Sequence, residues 1–447
     1  MSFTEISSDP RIGRALNAAC CFLRAHHGAS VDSSGVSSIP SARHAVFVLP
    51  VVKNGVIEDE SVTCPLDEAL SYGHNRLILR VWKGTARWWN LGCGNDDRQG
   101  AAADVVARAE VAGYRLAHKA LSRDDAATAV VVPSVLHFSP GEETDCLLEN
   151  VDGTSLPWAL LTYVGSGSAA FGTGRRHDGG SFVRSMVKIR REYGYDEPHM
   201  RHGRVDEGRA ADYARKVVRD VVLPIHSYYL GEVKRREDGN VALLGHTKTY
   251  AKMVKLYTEV LSGLRQQVTT QNEAFHDAKR TYILAILQIM GTGIDQLKIH
   301  AESLSPLGPV LCHGDMQPQN LMFWTSDTGD KARRGSKTIP NVACVLDWEE
   351  AGWADPRFEL VLICRKICSD RNQADIIWKA YGDVLLELHN TDIGSIDPWL
   401  KMEGVHSVLT EISKVVKVTY KRNVALEGKI ERELYRLGNL GWTFCLK

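Results

Sequence analysis

The sequence predicts an α+β chain of two lobes, β-rich over residues 1–165 and helical over residues 166–447. In the first 165 residues, runs of β-branched, aromatic and leucine residues recur, ended by Gly, Pro or polar clusters. Residues 208–235, 247–267 and 272–303, and the chain from Phe358 onward, carry apolar residues at helical spacing. Between these stretches lie two short strand-like segments, "NLMFW" and "NVACVLDW". They are joined by "TSDTGDKARRGSKTIP", a polar, turn-rich stretch that reads as a solvated hairpin loop. A ligand is expected in the cleft between such lobes.

The elements follow in order. Residues 10–27 form an amphipathic helix, and the Ser-rich "SVDSSGVSSIPSA" a turn. "RHAVFVLPVV" is a strand, with Pro50 at its edge or end because proline gives the ladder no N–H. "RLILRVWKG" (76–84) is a second strand that ends at Gly84. "WWNLGCGNDDRQGAA" is a loop by its Gly, Asn and Asp content. Residues 104–121 have helical spacing, and "VVVPSVLHF" (130–138) and "PWALLTYVG" (157–165) are two further strands. The character changes after "GSGSAAFGTGRRHDGG", whose "RRHDGG" reads as a solvated loop.

Composition excludes several classes. Lys and Arg total 54, as do Asp and Glu, so the balance lacks the basic excess of a dedicated nucleic-acid binder. The 10 cysteines include no CxxC pair, which argues against a zinc ribbon or a thioredoxin-like site. Cys364 and Cys368 share a helix face by spacing and read as small buried hydrophobes. The start, "MSFTEISSDPRIGR", has no basic region followed by an apolar core. No apolar run approaches the roughly 20 residues of a membrane span. The expectation is a soluble, reduced, cytoplasmic protein without a membrane partner; the sequence leaves its oligomeric state open.

Two motifs carry chemistry. "VLCHGDMQPQNLMFW" places His313, Gly314, Asp315 and Asn320 between apolar flanks, and "VLDWEEAGWADP" adds Asp347 and Asp355. Asp347 follows the apolar "ACVL" and stands where a strand leaves its buried run. A carboxylate there is costly without a partner or a task. Metal-assisted phosphoryl transfer fits the set. It needs a carboxylate to receive the proton of the attacking hydroxyl, and hard oxygen ligands to hold magnesium against nucleotide phosphates. Asp315, Asn320 and Asp347 supply that inventory, and the Asp-to-Asn spacing matches the H-R-D-L-x-x-x-N loop of protein kinases. Each motif alone reads as a turn or a capped strand end; order and spacing together carry the argument.

"HGDMQPQN" followed by "LDWEEAGWADPRFEL" resembles the aminoglycoside phosphotransferase and choline kinase superfamily, which writes H-G-D-x-x-x-x-N and then I-D-W/F-E. The resemblance implies a bilobal protein-kinase-like fold, ATP with Mg2+, and phosphorylation of a small-molecule hydroxyl. By position, Asp315 resembles the catalytic base, Asn320 and Asp347 the magnesium ligands, and His313 the residue that orients the loop. "RLILRVWKG" is similar to the third strand of choline and ethanolamine kinases, which maps Arg80 onto the phosphate-contacting cation. Lys83 is its rival, but strand alternation points it to the opposite face. "ARAEVAGYRL" looks like the helix that carries the partner acid, so the resemblance pairs Glu110 with Arg80. "VPSVLHF" and "ALLTYVGSGS" resemble the approach to the hinge and the hinge, where backbone near Leu161–Tyr163 meets adenine.

The chain departs from the family in places. No G-x-G-x-x-G precedes Arg80. Its place falls to "SGVSSIPSARHAVFVL", with Ser37, Ser38 and nearby amides over the phosphates. Gln317 replaces the lysine that protein kinases carry two residues after the base. Glu349, Glu350 and Glu359 fit either a cationic acceptor or the cap of a helix near Pro356, the more common use of acids there. Trp348 and Trp353 fit an acceptor wall or the core, and Trp348 the core. A protein kinase is the first rival, against which the chain has little room for an activation segment and no A-P-E. A pseudokinase scaffold is the second. Amino alcohols, amino sugars, homoserine-like compounds and methylthioribose all remain as acceptors. Choline is disfavoured, since its kinases write H-N-D.

Overall fold

The computed structural model describes residues 9–39, 44–53, 75–83, 103–121, 130, 132–139, 156–162, 181–185, 207–231, 248–270, 277–326, 342–368 and 370–417. The loop around "GCGNDDRQG", the "RRHDGG" segment, the hairpin loop and Tyr163 lie outside the described residues. The chain divides into two compact units. The first comprises Met1–Lys188, Glu237–Gly245 and Gln319–Ala351; the second comprises Ile189–Arg236, His246–Pro318 and Gly352–Lys447.

The first unit opens with helix α1 (Pro10–His27), which has the bounds that the sequence predicts. Asp9 caps it by accepting the Arg11 N–H, Pro10 occupies the first turn, and Gly28 ends it at φ 56°, a left-handed conformation that glycine adopts without Cβ strain. Its buried face, Ile12, Ala15, Leu16, Ala19 and Leu23, packs in one core with Leu49, Leu77, Leu79 and Val81. The latter come from a sheet of strands β1 (Ala29–Val31), β2 (Ser37–Ile39), β3 (His44–Lys53), β4 (Arg76–Trp82), β5 (Val135–Ser139) and β6 (Trp158–Thr162). The sheet order is β1-β3-β4-β6-β5, with β2 also paired to β3.

Pro50 lies within β3, yet it ends one ladder: the β3–β4 register runs from His44↔Trp82 to Pro50↔Arg76, after which β3 continues against β1. Strand β5 is shorter than the expected 130–138. Pro133, with no N–H to donate, precedes its start at Val135. On β4, Leu77, Leu79 and Val81 join the core with α1, while alternation sends Arg80 and Trp82 to the other face, where both are buried. Helix α2 (Ala103–Leu121) packs beside that face. A second sheet, β10 (Val342–Val345), β9 (Leu321–Ser326) and β7 (Ser181–Ser185), completes the unit. No sequence pattern announced β7: it is five residues long and its partner β9 lies far along the chain.

The second unit is helical. The helix expected over 208–235 runs without interruption through the described residues as α3 (Glu207–Val217), a π-turn (Val218–Val222) and α4 (Leu223–Gly231). Pro224 accounts for the π-turn, because its missing N–H and its ring disturb the turn before it. Helices α5 (Tyr250–Thr270) and α6 (Asp277–Ser303) follow, and α7 (Pro356–Ile367), α8 (Arg371–His389) and α9 (Asp397–Lys417) close the unit. Cys364 on α7 and Cys368, its C-cap, are buried. Strand β8 (Val310–Cys312) pairs with β11 (Gly352–Ala354), a strand the sequence did not suggest. Asp355 caps α7 by accepting the Arg357 N–H at 3.0 Å, and it holds the Arg357 guanidinium at 2.7–2.8 Å. Among the described residues no helix is long and apolar enough to cross a membrane.

Candidate active site

Asn320 and Asp347 flank one end of the β9–β10 hairpin. The last paired residues are Leu321 and Val345, and the Leu346 N–H continues the ladder by donating to the Asn320 carbonyl at 2.9 Å. The chain then turns. Asp347 adopts φ 65° and ψ 66°, a left-handed conformation uncommon outside glycine and easiest for Asp and Asn. Its side chain is 32% exposed, whereas Asn320 is buried.

Arg80 is the hub of the first unit's buried charge. Its Nη2 lies 3.0 Å from Glu110 Oε2, 2.9 Å from Asp347 Oδ1 and 3.7 Å from Glu349 Oε2. Trp82 Nε1–H donates to the same Glu110 oxygen at 2.8 Å, and its ring lies 5.8 Å from the guanidinium carbon. His44 Nε2 lies 2.6 Å from Glu349 Oε2. Lys83, the rival cation, is exposed just past the end of β4.

Three carboxylates thus share one guanidinium. Burial alone lowers the Arg80 pKa, but Glu110, Tyr114, Asp347 and Glu349 outweigh it and hold the group above its ordinary value. Burial pushes the Glu110 carboxyl up to about 8 against the pull of Arg80, and Asp347 and Glu349 push the same way. Burial lowers the His44 pKa in spite of Glu349, so the imidazole adds no second cation near neutrality.

A test follows from Glu110. The folded state holds its proton more tightly than the unfolded chain does. The resulting stability is complete below the ordinary value of 4.5 and is lost as pH rises to about 8. Glu110→Gln should therefore gain stability relative to wild type across that window in chemical denaturation. Parallel pH curves for the two proteins would contradict it.

The site residues of the second unit follow β8. Asp315 is buried, and the Gln317 amide donates to its Oδ2 at 2.6 Å. The Asp315 N–H donates to His313 Nδ1 at 3.2 Å, and the Gln317 N–H to the Asp315 carbonyl at 2.8 Å. Glu359, one turn into α7, accepts the Gly314 N–H at 3.0 Å, and burial raises its pKa. Asp355, then, caps the helix at Pro356, while Glu359 ties α7 to the loop. Trp348 and Trp353 are both buried, Trp353 edge-on to Tyr229 at 5.0 Å.

Ser37 and Ser38 occupy β2, exposed, in register with Val48 and Phe47 of β3; the tight turn falls earlier, over Ser33–Gly35. Leu161 is buried in β6, paired with Ile78 and Val135. Sequence reasoning did not find His44 or Tyr114. It read Gln317 only as a lost cation and Glu349 only as an acceptor contact or a cap. Tyr114 stands one turn after Glu110 and Glu349 two residues after Asp347, both available as signals. No local signal marks His44, which lies 305 residues from its partner.

The donor chemistry suits magnesium. An amide and a carboxylate oxygen are hard ligands, and the carboxylate excess around Arg80 favours an added cation. Arg80 Nε and Glu110 Oε1 are buried and meet no hydrogen-bond partner among the described residues. Also among the described residues, no group of three or more His, Cys, Asp or Glu side chains is arranged to hold a metal. Magnesium takes few protein ligands and keeps water or phosphate for the rest.

Residues 259–399 match the model of the phosphotransferase enzyme family, APH. No curated protein matches the chain. Solved structures that resemble it include a thermostable mutant of aminoglycoside phosphotransferase APH(4)-Ia with ADP and hygromycin B, 12% identical over 95% of this chain and 97% of that one, TM-score 0.45. A choline/ethanolamine kinase family protein from Mesorhizobium loti is 14% identical over 96% and 95%, TM-score 0.42. Macrolide 2'-phosphotransferase MphH from Brachybacterium faecium is 14% identical over 94% and 98%, TM-score 0.42. The matched residues 259–399 hold Asp315, Asn320, Asp347 and Asp355.

Proposed function

We propose that this protein is an ATP- and Mg2+-dependent phosphotransferase that phosphorylates a hydroxyl of a small-molecule metabolite, such as an amino alcohol or an amino sugar. One observation carries the reading. The guanidinium of Arg80 lies 3.0 Å from Glu110 and 2.9 Å from Asp347, the residue beside Asn320 at the hairpin end. This joins a strand cation, a helix acid and two oxygen ligands, the parts that a kinase needs for nucleotide phosphates.

In this reading residues 1–165 serve the nucleotide, and residues 166–447 carry the catalytic loop and the acceptor site. Arg80, steadied by Glu110, grips the α/β-phosphates, Ser37 and Ser38 cover them, and backbone near Leu161 and Tyr163 meets the adenine. Asn320 and Asp347 hold magnesium, which when bound offsets the phosphate charge. Asp315, oriented by Gln317, takes the proton of the acceptor hydroxyl as its oxygen bonds to the γ-phosphorus and the bond to ADP breaks.

The test is a thermal-shift titration with ATP, with and without magnesium, followed by a metabolite panel read by mass for phosphorylated product. A magnesium-dependent shift and one phosphorylated product are expected. A shift without ATP consumption across the panel would favour a nucleotide-binding scaffold, and no shift would refute the reading.

A further inference from the structure

Helix α2 does more than present Glu110. Tyr114 stands one turn further along the same face, and it is buried. Its hydroxyl oxygen accepts the Asp347 N–H at 3.3 Å. Asp347 is also the residue with the left-handed backbone, φ 65° and ψ 66°. Non-glycine residues stay in that region only where their surroundings hold them there. One restraint is the hairpin, through the bond from Leu346 N–H to the Asn320 carbonyl at 2.9 Å. A second is the bond to Tyr114, and Arg80 holds the carboxylate at 2.9 Å.

The approach that makes this contact depends on Gly113. A Cβ at that position would lie 2.8 Å from Ala351 Cβ and 3.4 Å from Trp348 Cβ, in the turn that follows Asp347. A distance of 2.8 Å between two carbons forces one element to move, and neither neighbour is the far end of a flexible side chain. Glycine therefore lets α2 lie against residues 348–351 closely enough for the Tyr114 hydroxyl to reach the Asp347 amide.

We infer that Tyr114 is a positioning residue for the divalent-cation site, holding the backbone of Asp347 at the hairpin end with its carboxylate beside Arg80, and that Gly113 permits the approach. The inference rests on Asp347 acting as a ligand of a nucleotide-bound divalent cation. It gives α2 two tasks: Glu110 sets the cation of β4, and Tyr114 sets the anion after β10.

The experiment uses the full chain with ADP at fixed concentration and titrates MgCl2, reading the thermal midpoint and the heat of binding. Partners that orient a metal ligand typically change metal affinity about 10–100-fold when removed. Tyr114→Phe keeps the ring and removes the hydroxyl, so its magnesium midpoint is expected to rise about 10-fold. Its ADP affinity without metal should stay unchanged, which a general loss of packing would not leave so. Gly113→Ala leaves the hydroxyl in place but displaces the helix, and its magnesium midpoint should rise likewise. It decides the matter if Tyr114→Phe does not fold. A wild type that responds to magnesium while the variants titrate identically to it overturns the inference alone. A wild type with ADP that ignores magnesium overturns the phosphotransferase reading and this inference with it.

Discussion

Asp315→Ala is expected to lower turnover by roughly 10²–10⁴-fold, the range a positioned general base contributes. The local geometry says why this carboxylate is the choice. It is buried directly after β8, and its oxygen is fixed by the Gln317 amide at 2.6 Å. The backbone around it is closed on itself through His313 and Gln317, and Glu359 of α7 secures Gly314. Such a loop holds one rotamer of one acid, which is what taking a proton at a set position requires. Asp315→Asn keeps an oxygen for Gln317 and should fold like wild type while losing comparable turnover. Nucleotide affinity should change little in either variant, since the loss concerns the acceptor proton. Turnover equal to wild type in both would remove Asp315 from the mechanism.

Arg80→Met should cost about 3–5 kcal/mol of stability, because removing one partner of a buried ion pair leaves the other charge uncompensated. Here the charges left behind are those of Glu349 and Asp347, while Glu110, 0% exposed, adds its own charge only above a pKa of about 8. The loss should grow as pH rises through about 8, where Glu110 gives up its proton beside Arg80 but keeps it without that partner. A double variant, Arg80→Met with Glu110→Gln, tests the cause: it should recover part of the loss in denaturant unfolding. If it is no more stable than Arg80→Met alone, the pairing with Glu110 does not account for the effect. The same single variant should also abolish the nucleotide-dependent thermal shift, which separates the role of Arg80 in binding from its role in folding.

Much of the architecture was legible in the residues. Helix α1 came out with its predicted bounds because apolar spacing, an Asp cap, an N-terminal proline and a closing glycine all act within a few residues of each other. The strand that carries Arg80 was legible by its composition and alternation. What differed did so for stated reasons: Pro224 sets a π-turn within an expected helix, Pro133 delays an expected strand, and β7 and β11 are too short to show a period of their own.

The sequence by itself determined the α+β character, the helices, and the spaced acids Asp315 and Asp347 with Asn320 between them. These depend on short-range sterics, burial period and the chemistry of side chains near one another in the chain. Only the tertiary structure decided the partners of Asp347 and of the buried charges around it in the first unit. It set His44 against Glu349, put Tyr114 on the amide of Asp347, and gave Arg80 three carboxylates to share. The physical reason is register. A cross-strand pairing such as His44↔Trp82, or the closeness of a helix at Gly113, depends on how whole elements meet, and no local pattern of residues records it.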